Sequence, residues 1–212
     1  MTNRKKYGII YIEIKKGGGS MRATFEKAID TIENEELREF AYICAKCIPA
    51  YFWSIPASSS GKYHPVTDLG EGGLVRHSLM VYRISLDLLV QNDITNSNIC
   101  DMVKFASLFH DCCKAGLQNE PESNTQHEHP IYAAGLIKYI YLYNNNNNPL
   151  IEKMVKSICM AIRTHMGRWT ESKYSDVKLT PPKTILEKLV HTADYIASRK
   201  YCLYDEEFFN NL

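Results

Sequence analysis

From Met21 onward, apolar residues recur every three to four positions, which is the spacing of one face of an α-helix. Polar stretches rich in glycine, proline, serine and asparagine separate these segments and predict the connecting loops. After residue 20, no set of segments shows the alternation typical of strands. The pattern therefore predicts an all-α helical bundle. The predicted helices span residues 24–48, 73–91, 98–113, 130–143, 149–165 and 181–201.

The first twenty residues follow a different pattern. Residues 7–14 are rich in β-branched and aromatic side chains, which predicts a short strand. Residues 17–20 are Gly-Gly-Gly-Ser, the composition of a flexible linker, and Met21 follows directly. We interpret residues 1–20 as an appended peptide with its linker and residues 21–212 as the domain; a native N-terminal arm is the alternative.

Several ionisable residues occupy positions where the helical pattern expects an apolar side chain. In the segment 73–91, for example, His77 shares a stripe with Leu74, Val81 and Ile84. Similar placements recur in four further predicted helices. The complete set is His77, His110, Asp111, His129, His165 and Asp194.

Two carboxylates and four imidazoles that face a common interior need a positive partner. Burying an unpaired carboxylate costs on the order of several kcal/mol. A pair of divalent metal ions supplies the missing charge, and imidazole with carboxylate is a ligand set for Mn, Fe, Zn, Ni or similar ions. A single histidine on an apolar face is more often a hydrogen-bonded core residue, so the prediction rests on the combination.

Composition and charge narrow the possible partners. A chain of 212 residues suffices for one domain, and 45% hydrophobic with 23% charged residues is ordinary for a globular protein. The net charge is +1, but residues 1–20 carry +4 and the remainder −3. A slightly acidic body disfavours long duplex nucleic acid as a partner. The sequence lacks an apolar run near the roughly 18 residues of a membrane span, so no membrane partner is expected.

The cysteines indicate a reducing environment. There are seven, an odd number at irregular spacings, which favours reduced thiols and a cytoplasmic location. Cys44 and Cys47 form a Cys-x-x-Cys pair, but no second pair follows. We therefore predict two core thiols one helical turn apart rather than a metal or redox site.

The sequence resembles the HD superfamily of metal-dependent phosphohydrolases, which is named for a His-Asp doublet. Here the doublet is His110-Asp111, within the run Ser-Leu-Phe-His-Asp-Cys-Cys-Lys. The family's earlier histidine and later aspartate match His77 and Asp194. The resemblance implies an all-α fold in which these four residues hold a metal ion.

Two further histidines, His129 and His165, match a two-metal branch of that superfamily. The branch includes bis(5′-nucleosyl)-tetraphosphatases and cyclic-dinucleotide phosphodiesterases. Over about residues 63–200 the chain also resembles small HD proteins of bacteria and phages, and the HD part of a bacterial 3′–5′ exoribonuclease. The resemblance is specific for metal binding and says little about the substrate.

The resemblance to the two-metal branch implies a particular reaction. By that resemblance, Asp111 would bridge the first ion to a second ion held by His129 and His165, and a hydroxide between the two ions would attack phosphorus. The expected ions are Mn, Fe, Zn, Ni or Mg. Lys114 lies one turn after Asp111, where the family has a lysine that contacts the scissile phosphate or assists the leaving group. An exposed surface lysine is the alternative.

Substrate-binding residues are predicted from their charge and their positions beside the ligands. Arg76, Arg168 and Arg199 suit bidentate contact with phosphate. His191 lies one turn before Asp194 and serves either the substrate or a ligand. Each of the four has a plain structural role as its alternative. Trp169 either stacks on a base or closes the core.

The loop over residues 66–73, before the His77 helix, contains three glycines. Glycines let backbone N–H groups approach a phosphate at a helix N-terminus. They are also the usual residues of any tight turn, so both interpretations stay open.

The function predicted from these features is hydrolysis of a small nucleotide-type phosphate ester or anhydride. Three alternatives remain. One is a 3′–5′ exonuclease on single-stranded RNA or DNA, which needs a basic groove and aromatic platforms. Another is a di-iron oxygenase, since histidines and carboxylates in a helical bundle also bind redox-active iron. The last is a non-catalytic nucleotide-binding protein. The oligomeric state is not predicted.

Overall fold

The computed structural model describes residues 19–58, 60–144 and 148–212. Within these ranges the chain forms eight α-helices and two short 3₁₀ helices, which confirms the all-α prediction. The α-helices are α1 (Gly19–Asp30), α2 (Glu35–Cys47), α3 (Gly73–Gln91), α4 (Ser97–Phe109), α5 (His129–Tyr143), α6 (Pro149–Thr164), α7 (Ile185–Ala197) and α8 (Glu206–Asn210); the 3₁₀ helices are Ala50–Trp53 and Val66–Asp68.

Four helices, α3, α4, α6 and α7, form the centre of the bundle. Helix α3 packs on α4 and α7, and α6 packs on α4, α5 and α7. Helices α1 and α2 cover one side, where Phe25 meets Phe109 edge-on at 5.4 Å and Phe40 stacks on Phe105 at 5.6 Å between ring centroids. All four rings are buried, and burial of such large side chains stabilises this wall of the bundle. The ionisable residues gather elsewhere, where α3 and α5 begin and α4 and α6 end.

The prediction of one helix over residues 24–48 is wrong, because the structure has two. The helix is interrupted between α1 and α2. There the carboxylate of Asp101 on α4 accepts hydrogen bonds from the backbone N–H groups of Glu33 (3.0 Å) and Asn34 (2.8 Å). The side chain of Asn34 then caps α2. The apolar spacing continues across the break, so local periodicity does not reveal an interruption made by a residue distant in sequence.

Three further boundaries differ from the prediction. Helix α4 ends at Phe109, and residues 110–115 continue as turns. Helix α7 begins after its predicted proline start, because the Thr184 side chain accepts a hydrogen bond from the first turn and caps it. The same helix ends at Ala197, four residues before its predicted end. The predicted strand over residues 7–14 lies outside the described residues.

Two observations concern the ends and surfaces of the helices. Helix α1 begins at Gly19, inside the Gly-Gly-Gly-Ser run. None of the helices in the described ranges combines the length and the apolar character that crossing a bilayer requires. Of the seven cysteines, Cys44 is buried as predicted, whereas Cys47 is exposed.

Candidate metal centre

All six residues predicted as metal ligands meet at one place in the structure. Each lies with at least two others in a group whose ligand atoms are all within 4.8 Å of one another. Five are buried, and the side chain of Asp194 keeps 19% of its surface exposed. The helices deliver them as follows: α3 carries His77, the turn after α4 carries His110 and Asp111, α5 begins with His129, His165 follows α6, and α7 carries Asp194.

Asp111 lies in the middle of the cluster, and its two oxygens face different histidines. Oδ1 is 3.0 Å from Nε2 of His129 and 3.5 Å from Nε2 of His165. Oδ2 is 3.4 Å from Nε2 of His110 and 3.7 Å from Nε2 of His77. One carboxylate thus divides the four imidazoles into two pairs.

Asp194 completes one of these two groups. Its Oδ1 lies 3.0 Å from Nε2 of His77 and 3.7 Å from Nε2 of His110. Oxygens of Asp194 and Asp111 therefore flank the same pair of imidazoles. The other pair, His129 and His165, meets Asp111 Oδ1.

Backbone hydrogen bonds fix the orientation of three of the imidazoles. In each case Nδ1 lies against the carbonyl oxygen three residues earlier, so Nδ1 carries the proton and donates it. In the neutral form of each ring, the remaining nitrogen, Nε2, then presents a lone pair to the centre, as in histidine ligands of metal ions. The three bonds run from His110 to Ser107 (2.8 Å), from His129 to Gln126 (2.6 Å) and from His165 to Ile162 (2.7 Å).

These ring orientations place hydrogen-bond acceptors against one another, and this arrangement shows whether the site suits a cation. Nε2 of His129 and Nε2 of His165 are 3.2 Å apart, although both Nδ1 atoms are committed to carbonyls. Asp111 Oδ1, which lies beside these two nitrogens, is buried without a hydrogen-bond partner among the described residues. Facing lone pairs repel, and an unpaired buried acceptor is costly. A divalent cation between these atoms removes both penalties, so the donor set fits metal binding.

The pKa values show how the cluster distributes its charge. Burial by itself raises the pKa of Asp111, but Lys114 and His110 outweigh it and hold that pKa well below its usual range. Burial lowers the pKa of His110, yet the carboxylates of Asp111 and Asp194 raise it to about 10. Burial lowers the pKa of His129. Lys114 and a proton on His110 therefore balance the carboxylates in the metal-free protein, and a bound metal ion would take the place of that proton.

Lys114 points into the cluster rather than to solvent. Its Nζ lies 2.6 Å from Asp111 Oδ2, and its side chain is only 12% exposed. The interpretation as an exposed surface lysine is therefore wrong. An ammonium group beside the Asp111 carboxylate can contact an anion that approaches the centre.

Two residues that lie beside the cluster, His64 and Asp68, were not predicted from the sequence. Asp68 is fully buried, and its Oδ2 lies 3.3 Å from Nδ1 of His77 and 3.4 Å from Nδ1 of His64. Both residues belong to the segment between α2 and α3, where no helical periodicity marks an inward-facing position. An acid nine residues before a candidate ligand was the one available indication.

Among the predicted substrate binders, Arg76 is engaged with the backbone. Its Nε donates to the carbonyl of Thr67 (2.6 Å) and its Nη2 to that of Glu71 (2.8 Å). These bonds hold the loop before α3 in place. A substrate role for Arg76 stays a prediction.

The glycine-rich loop forms a tight turn instead of a phosphate cradle. The amide of Gly72 donates to the carbonyl of Ser54 (2.8 Å), and that of Leu74 donates to Ile55 (2.9 Å). Gly72 has a φ of 69°, which favours glycine. Because these amides already have partners, they are not available to a phosphate, and the turn interpretation holds.

The other predicted binders gather in an aromatic platform, which we define as Arg168, Trp169, His191, Tyr195 and Arg199. Trp169 stacks on Tyr195 with centroids 5.6 Å apart, and the two rings are 41% and 37% exposed. Arg168 lies over Trp169 at 4.9 Å, and Arg199 over Tyr195 at 4.2 Å. Nδ1 of His191 donates to the carbonyl oxygen of His165, one of the six clustered residues (2.7 Å). The platform thus adjoins the metal centre.

Comparison with known proteins agrees with this geometry. The HD domain family matches residues 74–199, which is more than half of the chain and contains all six clustered residues. Comparisons with curated proteins and with solved structures each find no match. Members of the family are generally metal-dependent hydrolases. The matched range and the buried His/Asp cluster establish that the chain belongs to the HD domain family.

Proposed function

We propose that the protein is a metal-dependent phosphohydrolase that cleaves a phosphate ester or anhydride of a nucleotide-type substrate. The division of Asp111 between two pairs of imidazoles carries the proposal, because a carboxylate that bridges two divalent ions offers one oxygen to each. In the proposed centre, His77, His110 and Asp194 hold one ion, His129 and His165 hold the other, and Asp111 serves both.

The residues around the ions prepare the site for a phosphate. Two divalent ions, when bound, make water a nucleophile at neutral pH and offset charge on phosphoryl oxygens. The Nδ1 bonds of His110, His129 and His165 hold the rings in place beforehand, so little reorganisation is needed. Lys114 supplies a further positive charge within reach of the same space, where it binds a phosphoryl oxygen or the leaving oxygen.

The aromatic platform supports a nucleotide as the substrate. Nucleobases stack on exposed aromatic rings, and each such stack contributes about 1–3 kcal/mol. Trp169 and Tyr195 offer a partly exposed pair of rings next to a phosphate-binding centre. Arg168 and Arg199 add positive charge for a further phosphate group. A base on the platform with its phosphate at the ions is therefore the arrangement that we propose.

A nucleotide panel tests the activity. The full chain is stripped of metal, reloaded with Mn²⁺ and offered dinucleoside polyphosphates, cyclic dinucleotides, nucleoside phosphates and single-stranded oligoribonucleotides. We expect phosphate or nucleotide release from at least one small nucleotide, and none in EDTA. Shortening of RNA alone favours the exonuclease, and turnover that needs oxygen favours the oxygenase. A loaded protein inactive on the whole panel contradicts the proposal.

A variant pair tests the platform. Trp169→Ala is expected to raise KM for the nucleotide roughly tenfold by loss of stacking, with kcat little changed. Hydrolysis of ribose 5-phosphate, which has no base, should not change. The matched control is Tyr139→Ala, which removes a ring from another exposed stacked pair ten residues along α5 from His129. Equal effects of the two variants count against a base on the platform.

A further inference from the structure

A third buried carboxylate, Asp68, lies beside the metal centre but outside the range that matches the family. It ends the short 3₁₀ helix before α3, six residues upstream of that range. The backbone fixes its position: its carbonyl accepts from the amide of Ala57 (2.9 Å), and a Cβ on Gly73 would lie 1.9 Å from that carbonyl oxygen. The loop therefore packs directly on the first turn of α3.

The side chain of Asp68 faces the back of a ligand. Its Oδ2 makes an ion-pair contact of 3.3 Å with Nδ1 of His77, while Nε2 of His77 faces Asp194 and Asp111. The contact falls short of hydrogen-bond geometry, and Asp68 Oδ1 is buried without a partner among the described residues. The same Oδ2 also lies 3.4 Å from Nδ1 of His64, so one oxygen faces both imidazoles.

The other three clustered histidines differ from His77 in the group that faces Nδ1. The Nδ1 atoms of His110, His129 and His165 donate to neutral carbonyls, whereas Nδ1 of His77 faces a charged oxygen. A carboxylate behind an imidazole fixes its tautomer and makes Nε2 a stronger electron donor to a metal ion.

We propose that Asp68 is a positioning residue of the metal centre, which orients His77 through Nδ1 and strengthens its binding of the first ion. The inference rests on the proposed function, since it takes the six-residue cluster to be a metal site. A third ion between His64, Asp68 and His77 is the competing arrangement. That arrangement requires His77 to bind metal through both nitrogens and to lose both protons, which a neutral imidazole does not do.

Binding of Mn²⁺ to the metal-free full chain tests the proposal, with free Mn²⁺ measured by electron paramagnetic resonance. Asp68→Ala is expected to weaken binding of one of two ions by roughly 10–100-fold. Asp68→Asn should lose less, because an amide oxygen can lie against Nδ1 in the place of the carboxylate oxygen, although without its charge. The matched control is Asp101→Asn, which alters an equally buried aspartate that holds backbone N–H groups. Its Mn²⁺ affinity should stay within about twofold.

Each outcome has a distinct meaning. Circular dichroism and thermal unfolding of the metal-free variants first establish that they are folded, and Asp68→Asn replaces Asp68→Ala if the latter is not. Wild-type affinity in both folded Asp68 variants, or equal losses in Asp68→Asn and Asp101→Asn, overturns the positioning role. Absence of Mn²⁺ binding by the wild-type chain instead overturns the proposed function, and the inference with it.

A His64 variant separates positioning from a third ion. We expect His64→Gln to bind two Mn²⁺ ions with affinities within about threefold of wild type, because His64 shares Asp68 but does not hold an ion. Three ions in the wild type and two in His64→Gln would overturn the proposal in favour of a third metal site.

Discussion

Two buried aspartates, ten residues apart, show how the chain separates structure from chemistry. Asp101 and Asp111 are each 1% exposed, and each has a lysine three residues later, Lys104 and Lys114. Asp101 accepts two backbone N–H groups at 3.0 and 2.8 Å, and its lysine donates to the carbonyl of Thr31 as well. Asp111 instead faces four imidazoles, and its Oδ1 has no hydrogen-bond donor among the described residues.

The difference teaches that burial and sequence context alone do not identify a functional carboxylate. Donors surround Asp101, so its charge is satisfied within the fold. Lys114 donates to Oδ2 of Asp111, but only imidazoles surround Oδ1, so this second oxygen is satisfied only by a proton on an imidazole or by an added cation. The hydrogen-bond partners of a buried carboxylate therefore decide its role.

The largest effect is expected from exchanging the two carboxylates for amides. Asp111→Asn should abolish stable Mn²⁺ binding and lower hydrolysis by more than about 1,000-fold, because one residue serves both ions. Asp101→Asn should leave hydrolysis per folded molecule within about twofold but cost roughly 1–3 kcal/mol of unfolding free energy, since an amide nitrogen then faces a backbone N–H. Metal analysis, the hydrolysis assay and denaturant unfolding measure the three quantities. Full hydrolytic activity in Asp111→Asn would contradict the proposed role of Asp111 in the metal centre.

The two lysines provide the next comparison. Lys114→Met is expected to lower turnover by about 100-fold, through loss of one charged contact to the phosphate. It should also raise Mn²⁺ affinity, because an ammonium group 2.6 Å from Asp111 Oδ2 repels a cation there. Lys104→Met should change neither the turnover nor the Mn²⁺ affinity and should lower only the free energy of unfolding. The readouts are kcat and Mn²⁺ titration; weaker Mn²⁺ binding in Lys114→Met would contradict the assigned position of the charge.

The same contrast explains what the sequence could predict. The predicted ligands His77, His165 and Asp194 interrupt apolar stripes, so helical periodicity alone finds these three positions. Asp68 lies in a loop without periodicity, and only the folded contact of that loop with α3 reveals it. The break between α1 and α2 was missed for a related reason, since Asp101, about 70 residues away, makes it. Local pattern thus predicts inward faces of helices, whereas contacts made by loops depend on the tertiary fold.

The pH dependence of metal binding tests the protonation of the centre. Carboxylates of Asp111 and Asp194 raise the pKa of His110 to about 10, so near neutral pH the metal-free protein holds a proton there. Mn²⁺ must displace that proton, so affinity should rise with pH by about tenfold per unit between pH 6.5 and 8.5. Asp101→Asn should keep the same slope. Mn²⁺ titration at several pH values measures it, and an affinity independent of pH would show that His110 is neutral before metal binds.

The smallest effect on the metal centre is expected from the backbone behind His165. Gly167 has a φ of 62°, and a Cβ there would lie 2.0 Å from the ring of His191. Gly70 also has a positive φ, 88°, but an added Cβ would meet nothing within 4 Å. Both alanine variants therefore carry the cost of a left-handed residue, roughly 1–2 kcal/mol, and Gly167→Ala adds an overpacking cost of about 1–3 kcal/mol.

The same pair of glycine variants shows whether the aromatic platform and the metal centre are mechanically linked. Displacing His191 removes its bond to the carbonyl of His165, but His165 keeps its own Nδ1 bond to Ile162. We therefore expect Gly167→Ala to raise KM for the nucleotide while its Mn²⁺ affinity stays within about threefold of that of Gly70→Ala. Unfolding free energies, KM and Mn²⁺ affinities of the two variants show whether the aromatic platform and the metal centre are linked. A loss of Mn²⁺ affinity as large as that of Asp68→Ala would show that His191 supports the ligand itself and not only the substrate.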